Sequence, residues 1–465
     1  MIDAVGRQPR RNSEFDRPNV IRDGIAAVLL IAGLLLPWNV HTGIGISDTP
    51  GWVLAVLVLV TLLSLGSLVV GAQGRRRGAE RPAPPRLRLL LNGPYLTVVI
   101  AFVLFTGVVS IRYGGTGVVA PGVGPGIWFG VAGALLAARP PISSVVEQPR
   151  EGQAARTIGW ISVGLAALAT LFTLYFRTRY VVPGIGGDAA VQNLTTAVAA
   201  LLYGTVAIIP ILIAGRWLIS ATPAARLATT MLGCSALLAG LLVWLLPIGR
   251  DLDAFHGIAQ STGTAGVGYE GYLAWVAAAA IMGTTAARHL RGPNASGLWQ
   301  LATRSGLLLI AAWCAGTALL RIVDVLLAAI LTLPQPPYNS TVLMAFDLVT
   351  AVLAAWLFVN SGNRSLPRPV LATLISGVLA LTVCRLIVGD ALVPRVRPLN
   401  PDTVNAVFGN FLAQQITGTF DVTLVVLALV SLAGVVSLGR RTRSARPAPP
   451  GQTGRIGAPR PPKRS

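Results

Sequence analysis

The sequence predicts an all-α polytopic membrane protein of about twelve transmembrane helices, built as six tandem helical hairpins with both termini cytoplasmic. Three observations carry that reading. First, 53% of the 465 residues are hydrophobic and only 12% are charged, about half the charged share of a soluble domain. Second, the mean hydropathy of +0.68 is concentrated in apolar runs of about 20 residues, the length that crosses roughly 30 Å of hydrocarbon while each helix satisfies its own backbone. Third, the 37 Lys and Arg against 17 Asp and Glu, a formal charge of +20, are sorted by side of the membrane. A soluble fold is excluded.

The spans follow in order. The first, 23–40, starts behind Arg22 and Asp23 and lacks a small-residue cleavage site, so it reads as a membrane helix and not as a removed signal. Residues 51–72 and 92–111 are aliphatic runs on either side of the basic loop GAQGRRRGAERP. The fourth span, 127–138 extended back toward Val118, is interrupted by Pro121, Gly122, Gly124 and Pro125. The remaining eight are 157–176, 195–215, 227–247, 269–287, 306–333, 341–360, 369–392 and 419–438, each bounded by polar or Gly/Pro-rich breaks. With the fourth span counted, 29 basic residues lie in inside segments and 6 in outside loops. This asymmetry is the positive-inside signature of a cytoplasmic-membrane protein. Residues 1–22 then form a cytoplasmic segment and 23–438 the transmembrane domain. Residues 439–465, with RPAPPGQTGR and APRPPKRS, form a disordered cytoplasmic tail able to lie on anionic lipid. The charge is thereby an orientation signal, and nucleic-acid binding is not expected.

The hairpins repeat. Gly-(Ile/Val)-Gly stands at Gly43, Gly122, Gly184 and Gly266, with spacings of 79, 62 and 82 residues. Arg112-Tyr113 leads to VVAPGVG, and Arg179-Tyr180 leads to VVPGIG. Arginines close the odd-numbered helices at Arg112, Arg179, Arg250, Arg321 and Arg385. Acids open even-numbered helices at Asp188, Glu270, Asp347 and Asp421, the last two in FDLVT and FDVTL. Asp48, Asp188 and Glu270 follow the glycine turns and are expected to cap the helices behind them.

Intramembrane charge marks the candidate site, because a charge near the bilayer centre costs about 2.5 to 3.5 kcal/mol and faces protein or a cavity. Arg321 and Asp324, three apart in ALLRIVDVLLA, share a helix face and can pair. Arg385 and Asp390, five apart, are poorly placed for each other, so partners on other helices are expected. The functional reading is an outward-facing, anion-attracting chamber lined by Arg321, Arg385 and Arg250, with Asp324, Asp347, Asp390 and Asp421 as counter-charges or proton carriers. The competing reading is a set of ion pairs that fix packing between repeats.

Other chemistry is not expected. Cys234, Cys314 and Cys384 all lie in predicted helices as small buried residues, without disulfide or metal-ligand spacing. Asp251, Asp253 and His256 share a Gly/Ser/Thr-rich loop that reads as solvated surface, and Pro401–Ile416 has the apolar spacing of an amphipathic helix at the outer interface. No adjacent acidic pair and no protease constellation occurs, so no enzyme, cofactor or metal site is expected. Arginine dominates over a single lysine, Lys463, in an Ala/Gly/Leu/Val-rich chain. The stretch FDRPNVIRDGIAAVLLIAGLLLPWNV, followed by GIGISD, resembles conserved multi-pass membrane proteins of actinobacteria, and that resemblance implies no activity. The expected function is a transporter, channel or lipid-handling protein for an anionic solute or lipid. The alternative is a non-catalytic scaffold or assembly factor for cell-envelope machinery.

Overall fold

A computed structural model describes residues 13–39, 41–46, 49–76, 85–113, 121–140, 149–245, 266–332, 338–362, 366–390 and 418–444. Among these the protein is all-α, with twelve helices: α1 (Ser13–Leu35), α2 (Gly51–Arg76), α3 (Pro85–Tyr113), α4 (Pro125–Ala138), α5 (Pro149–Thr178), α6 (Ala190–Ser220), α7 (Pro223–Leu245), α8 (Tyr269–His289), α9 (Ala295–Ile330), α10 (Tyr338–Asn360), α11 (Arg368–Asp390) and α12 (Thr419–Ser444). Ten are long and apolar enough to cross a membrane. The helices overrun the apolar runs that predict them. α1 begins inside the expected 1–22 segment, α9 begins eleven residues before its apolar run, and α12 continues through Ser444, so the expected tail starts as helix.

The exceptions among the spans are α4 and α8, and both are enclosed by protein along most of their length. At 14 residues α4 is about 21 Å long, too short for the hydrocarbon alone. Its missing length is supplied by Pro121–Gly124, buried non-helical backbone, which is tolerated at membrane depth only when protein surrounds it. The glycines interrupting the run are what make this possible. Gly122 adopts φ +78°, which a side chain would strain, and its carbonyl accepts from the Thr106 hydroxyl at 3.1 Å. Gly124 N–H donates to Trp38 O at 2.7 Å and Gly126 N–H to Pro37 O at 2.8 Å. The chain just past the end of α1 therefore accepts the open N–H groups at the start of α4.

Close approach of α1 and α4 depends on small residues. Gly126, Gly130 and Ala134 recur every fourth residue on α4, the spacing that brings membrane helices into backbone contact. A methyl group on Gly33 would lie 2.7 Å from the Gly130 nitrogen, where no flexible side chain can give way. The third buried start is α12, whose Thr419, Phe420 and Asp421 are all buried. Aromatic rings connect these three helices: Trp128 stacks on Tyr272 at 4.6 Å, Tyr272 meets Trp275, Trp275 meets Phe420 at 5.7 Å, and Phe420 meets Trp313 of α9 edge-on at 4.9 Å. Gly122 and Gly266 are 144 residues apart, and so are Trp128 and Tyr272. Equivalent positions of two repeats thus face each other at the centre.

Two expectations are corrected. The start of α6 carries no side-chain cap, since Asp188 is exposed before it, whereas Glu270 stands in the first turn of α8, where its charge faces the positive end of that helix. Asp421 does cap, its Oδ2 accepting from Gly418 N–H at 3.3 Å. Of the cysteines only Cys314 is buried, whereas Cys234 and Cys384 are exposed on helix faces. The expected helix at Pro401–Ile416, the loop with Asp251, Asp253 and His256, and Asp48 lie outside the described residues.

Gly33→Ala or Gly130→Ala should lower the apparent melting temperature in detergent and reduce monodisperse protein, because each methyl meets neighbouring protein at close range. Gly24→Ala and Gly164→Ala, where nothing lies within 4 Å of the new carbon, should leave stability unchanged or raise it by up to about 1 kcal/mol through helix propensity. Fluorescence-detected size-exclusion chromatography after heating compares all four.

Candidate functional site

The last four helices each contribute one charged side chain to a single buried network. On α10 the buried residues Leu343, Asp347, Thr350, Ala354 and Leu357 follow alternating steps of four and three, the seam that faces a neighbouring helix. On α11 the same steps give Leu371, Ile375, Val378, Thr382 and Arg385. Asp347 and Arg385 therefore point inward because they occupy seam positions. On α9, Trp313, Thr317, Arg321 and Asp324 form a polar stripe at spacings of four, four and three.

Asp347 is shared by two arginines. Its Oδ2 is 3.2 Å from Arg321 Nε, and its Oδ1 pairs with Arg385 Nε. Arg385 is shared by two carboxylates, its second partner being Asp421 of α12. Asp421 also accepts from Trp313 Nε1 at 2.7 Å, and its place in the first turn of α12 sets its charge against the positive end of that helix. The side chains are 0% exposed at Asp347, 5% at Arg385, 6% at Asp421 and 11% at Arg321. Two positive and two negative charges cancel, which is the condition for keeping ions in so dry a place.

Arg321 thus pairs with Asp347 and donates to Ser340 Oγ at 3.3 Å, rather than bonding to Asp324 on its own helix as the spacing suggested. Asp324 accepts instead from the hydroxyl of Tyr203 on α6 at 2.6 Å. Asp390 ends α11, and its side chain is outside the described set, as is the whole of Arg250. Among the described residues no group of three His, Cys, Asp or Glu is arranged to hold a metal.

A second polar cluster lies at the opposite end of the bundle. Arg22 bonds to Asp23 and donates to Pro140 O at 2.7 Å. Arg88 donates to Asp23 at 3.3 Å and to Arg139 O at 3.1 Å, so two guanidinium groups engage the backbone just past α4, where a helix has open carbonyls and a negative dipole end. Arg139 pairs with Glu151 and donates to Thr284 Oγ1, and Thr285 donates to Glu151 at 2.6 Å. Burial pulls the Arg139 guanidinium below the ordinary arginine pKa, and Glu151 opposes that shift. Sequence reasoning counted these arginines only as an orientation signal. The acid Asp23 directly beside Arg22 at the head of a span was the visible sign that more was present.

Arginine pairs inside a bundle of apolar helices, with buried non-helical entries to α4 and α8, define a polytopic all-α membrane protein. Within that class, the chain belongs to the family described as Domain of unknown function (DUF7937), which matches residues 19–438, from within α1 to within α12. Comparison with curated proteins and with solved structures gives no significant match.

Asp347→Asn should destabilise the protein by about 3 to 5 kcal/mol, since it leaves two buried guanidinium groups with one carboxylate. Trp313→Phe, which keeps the ring packing and removes one hydrogen bond to a charged acceptor, should cost about 1.5 to 3 kcal/mol. Thermal unfolding of the purified variants in one detergent checks the order. Gly71→Ala should also unfold earlier than wild type, because the Arg88 guanidinium occupies the space of the added methyl.

Proposed function

We propose that this is a cytoplasmic-membrane transporter, channel or lipid-handling protein of the actinobacterial type that its amino-terminal stretch resembles, moving an anionic solute or lipid through an outward-facing polar site in its last four helices. The observation that carries this reading is the gradation of the charged residues. Half-buried Asp324 and Tyr203 lead to Arg321, and Arg321 leads through Asp347 to fully buried Arg385. Apolar residues of similar volume would hold four helices together at no greater cost than buried ion pairs. Ionisable side chains inside a membrane are characteristic of substrate and ion pathways. Exchange of an anion for one carboxylate on Arg321 or Arg385 would rearrange four helices at once.

A second reading is favoured by the complete neutralisation of the quartet. In it the network only fixes packing, and the protein is a non-catalytic scaffold for cell-envelope machinery that acts through its basic tail.

Proteoliposomes separate the two. Flux of phosphate, chloride and small carboxylates on solid-supported membranes, and dithionite access to fluorescent phosphatidylglycerol, should exceed empty vesicles for wild type. Arg321→Gln and Arg385→Gln should each lower the responsive flux per folded protein at least tenfold, measured on the fraction of each variant that stays monodisperse. Equal loss of protein in both variants, with undiminished flux in the surviving fraction, identifies the arginines as structural. Deleting 445–465 should leave flux intact, whereas a scaffold would lose co-purifying partners.

A further inference from the structure

Asp324 differs from the other acids of the network. Asp347 and Asp421 each contact a guanidinium group within 4 Å, so a proton on either would break an ion pair in a dry interior. Asp324 bonds instead to a neutral hydroxyl, that of Tyr203 at 2.6 Å, and is only half-buried. It stands six residues before the end of α9, about 9 Å from the terminus that the arginine distribution assigns to the outside. Among Asp324, Asp347 and Asp421 it is therefore the least buried carboxylate and the one whose neutralisation leaves the buried pairs standing.

Its surroundings give that neutralisation a consequence. Tyr203 of α6 lies within electrostatic reach of Arg177 on α5 and of Arg321 on α9 as well as Asp324. Behind Arg321 stand Asp347 and Ser340 of α10, then Arg385 of α11 and Asp421 of α12. The helix α7 also packs on α9, and its one charged residue, Arg226, is in its first turn, close to the opposite end of the bundle. Among these described side chains three arginines, Arg177, Arg321 and Arg385, stand against three aspartates, Asp324, Asp347 and Asp421. One proton on Asp324 changes the sum by one positive charge beside Arg321, the least buried guanidinium of the quartet.

We propose that the Asp324 carboxylate, hydrogen-bonded to Tyr203, is a proton-binding site, and that its proton enters together with an anion that Arg321 receives. The proton passes from hydronium at the outer face to a carboxylate oxygen: one O–H bond of hydronium breaks, leaving water, and one O–H bond forms, giving the neutral acid. Neutral Asp324 no longer competes for Arg321. An entering monoanion restores the net charge of the site to zero, so neither partner is buried alone. The second half of this inference rests on the transport reading above, whereas the first does not.

Infrared difference spectra of the reconstituted full chain between alkaline and acidic buffer test the site directly. Wild type should show a protonated-carboxyl C=O band at acidic pH that is missing in Asp324→Asn. In Tyr203→Phe the band should persist at higher frequency, because the carbonyl has lost its hydroxyl donor. A band unchanged in Asp324→Asn, or no such band in wild type, overturns the site. Anion uptake into the same vesicles, followed with phosphate and chloride, should rise at acidic outer pH in wild type and lose that dependence in Asp324→Asn. Identical pH dependence in both overturns the coupling. A wild type that shows the band but moves no anion removes the transport reading and the coupling built on it, and leaves the proton site standing.

Discussion

A helix that starts inside a protein in a bilayer has N–H groups and no water to accept them, and among the described residues α4, α8 and α12 each start on a run of buried residues. At α4 the solution is backbone: Pro37 and Trp38 turn their carbonyls toward Gly126 and Gly124. That arrangement demands that α1 and α4 touch, which demands glycine at 33 and 126, while Gly130 makes room for Tyr95 of α3. At α12 the solution is a side chain, since Asp421 folds back to the Gly418 N–H. The second solution places a carboxylate in the interior, and the arginine of α11 follows from it. Capping and the charge network are therefore one problem, in which an acid that satisfies a helix start becomes a buried charge that needs a cation.

The opposite end of α4 presents the mirror image. Carbonyls there lack donors, and Arg22 and Arg88 supply them. The two arginines approach one Asp23, so the first acid of the chain holds the pair in place. Gly71 leaves room for the Arg88 guanidinium. A short helix clamped by backbone at one end and arginine at the other is a rigid centre, and the rings Trp128, Tyr272, Trp275, Phe420 and Trp313 tie that centre to Asp421. Packing at the core and charge in the last four helices are in this way mechanically continuous.

What a single sequence reveals here follows from range. The helices were legible because each satisfies its own backbone, so length and hydropathy are local properties. The break before α4 was legible from Pro121, Gly122, Gly124 and Pro125, although its outcome, a 14-residue helix with a buried coil, depends on α1. Asp347 and Arg385 were legible as costly residues, and the seam of alternating four and three steps would have aimed them inward. Their partners were not legible, because Arg385 meets Asp421 across 36 residues and Arg88 meets Asp23 across 65, and nothing local encodes which helices adjoin. The positive-inside count hid the inner cluster for a related reason: it treats each arginine as a point charge on one side and is blind to those that also bond to a carbonyl.

Neutrality decides what the network of the last four helices can do. A buried quartet with cancelling charges is stable as it stands and offers an anion no net attraction, so an anion can enter only if a carboxylate leaves or is neutralised. Moving Asp421 would undo the cap of α12, and moving Asp347 would strand two arginines at once. Asp324 carries neither burden, being held by one neutral hydroxyl at the less buried end of the stripe. The same asymmetry that makes it dispensable to packing makes it the acid among Asp324, Asp347 and Asp421 whose charge can change with the buried pairs intact.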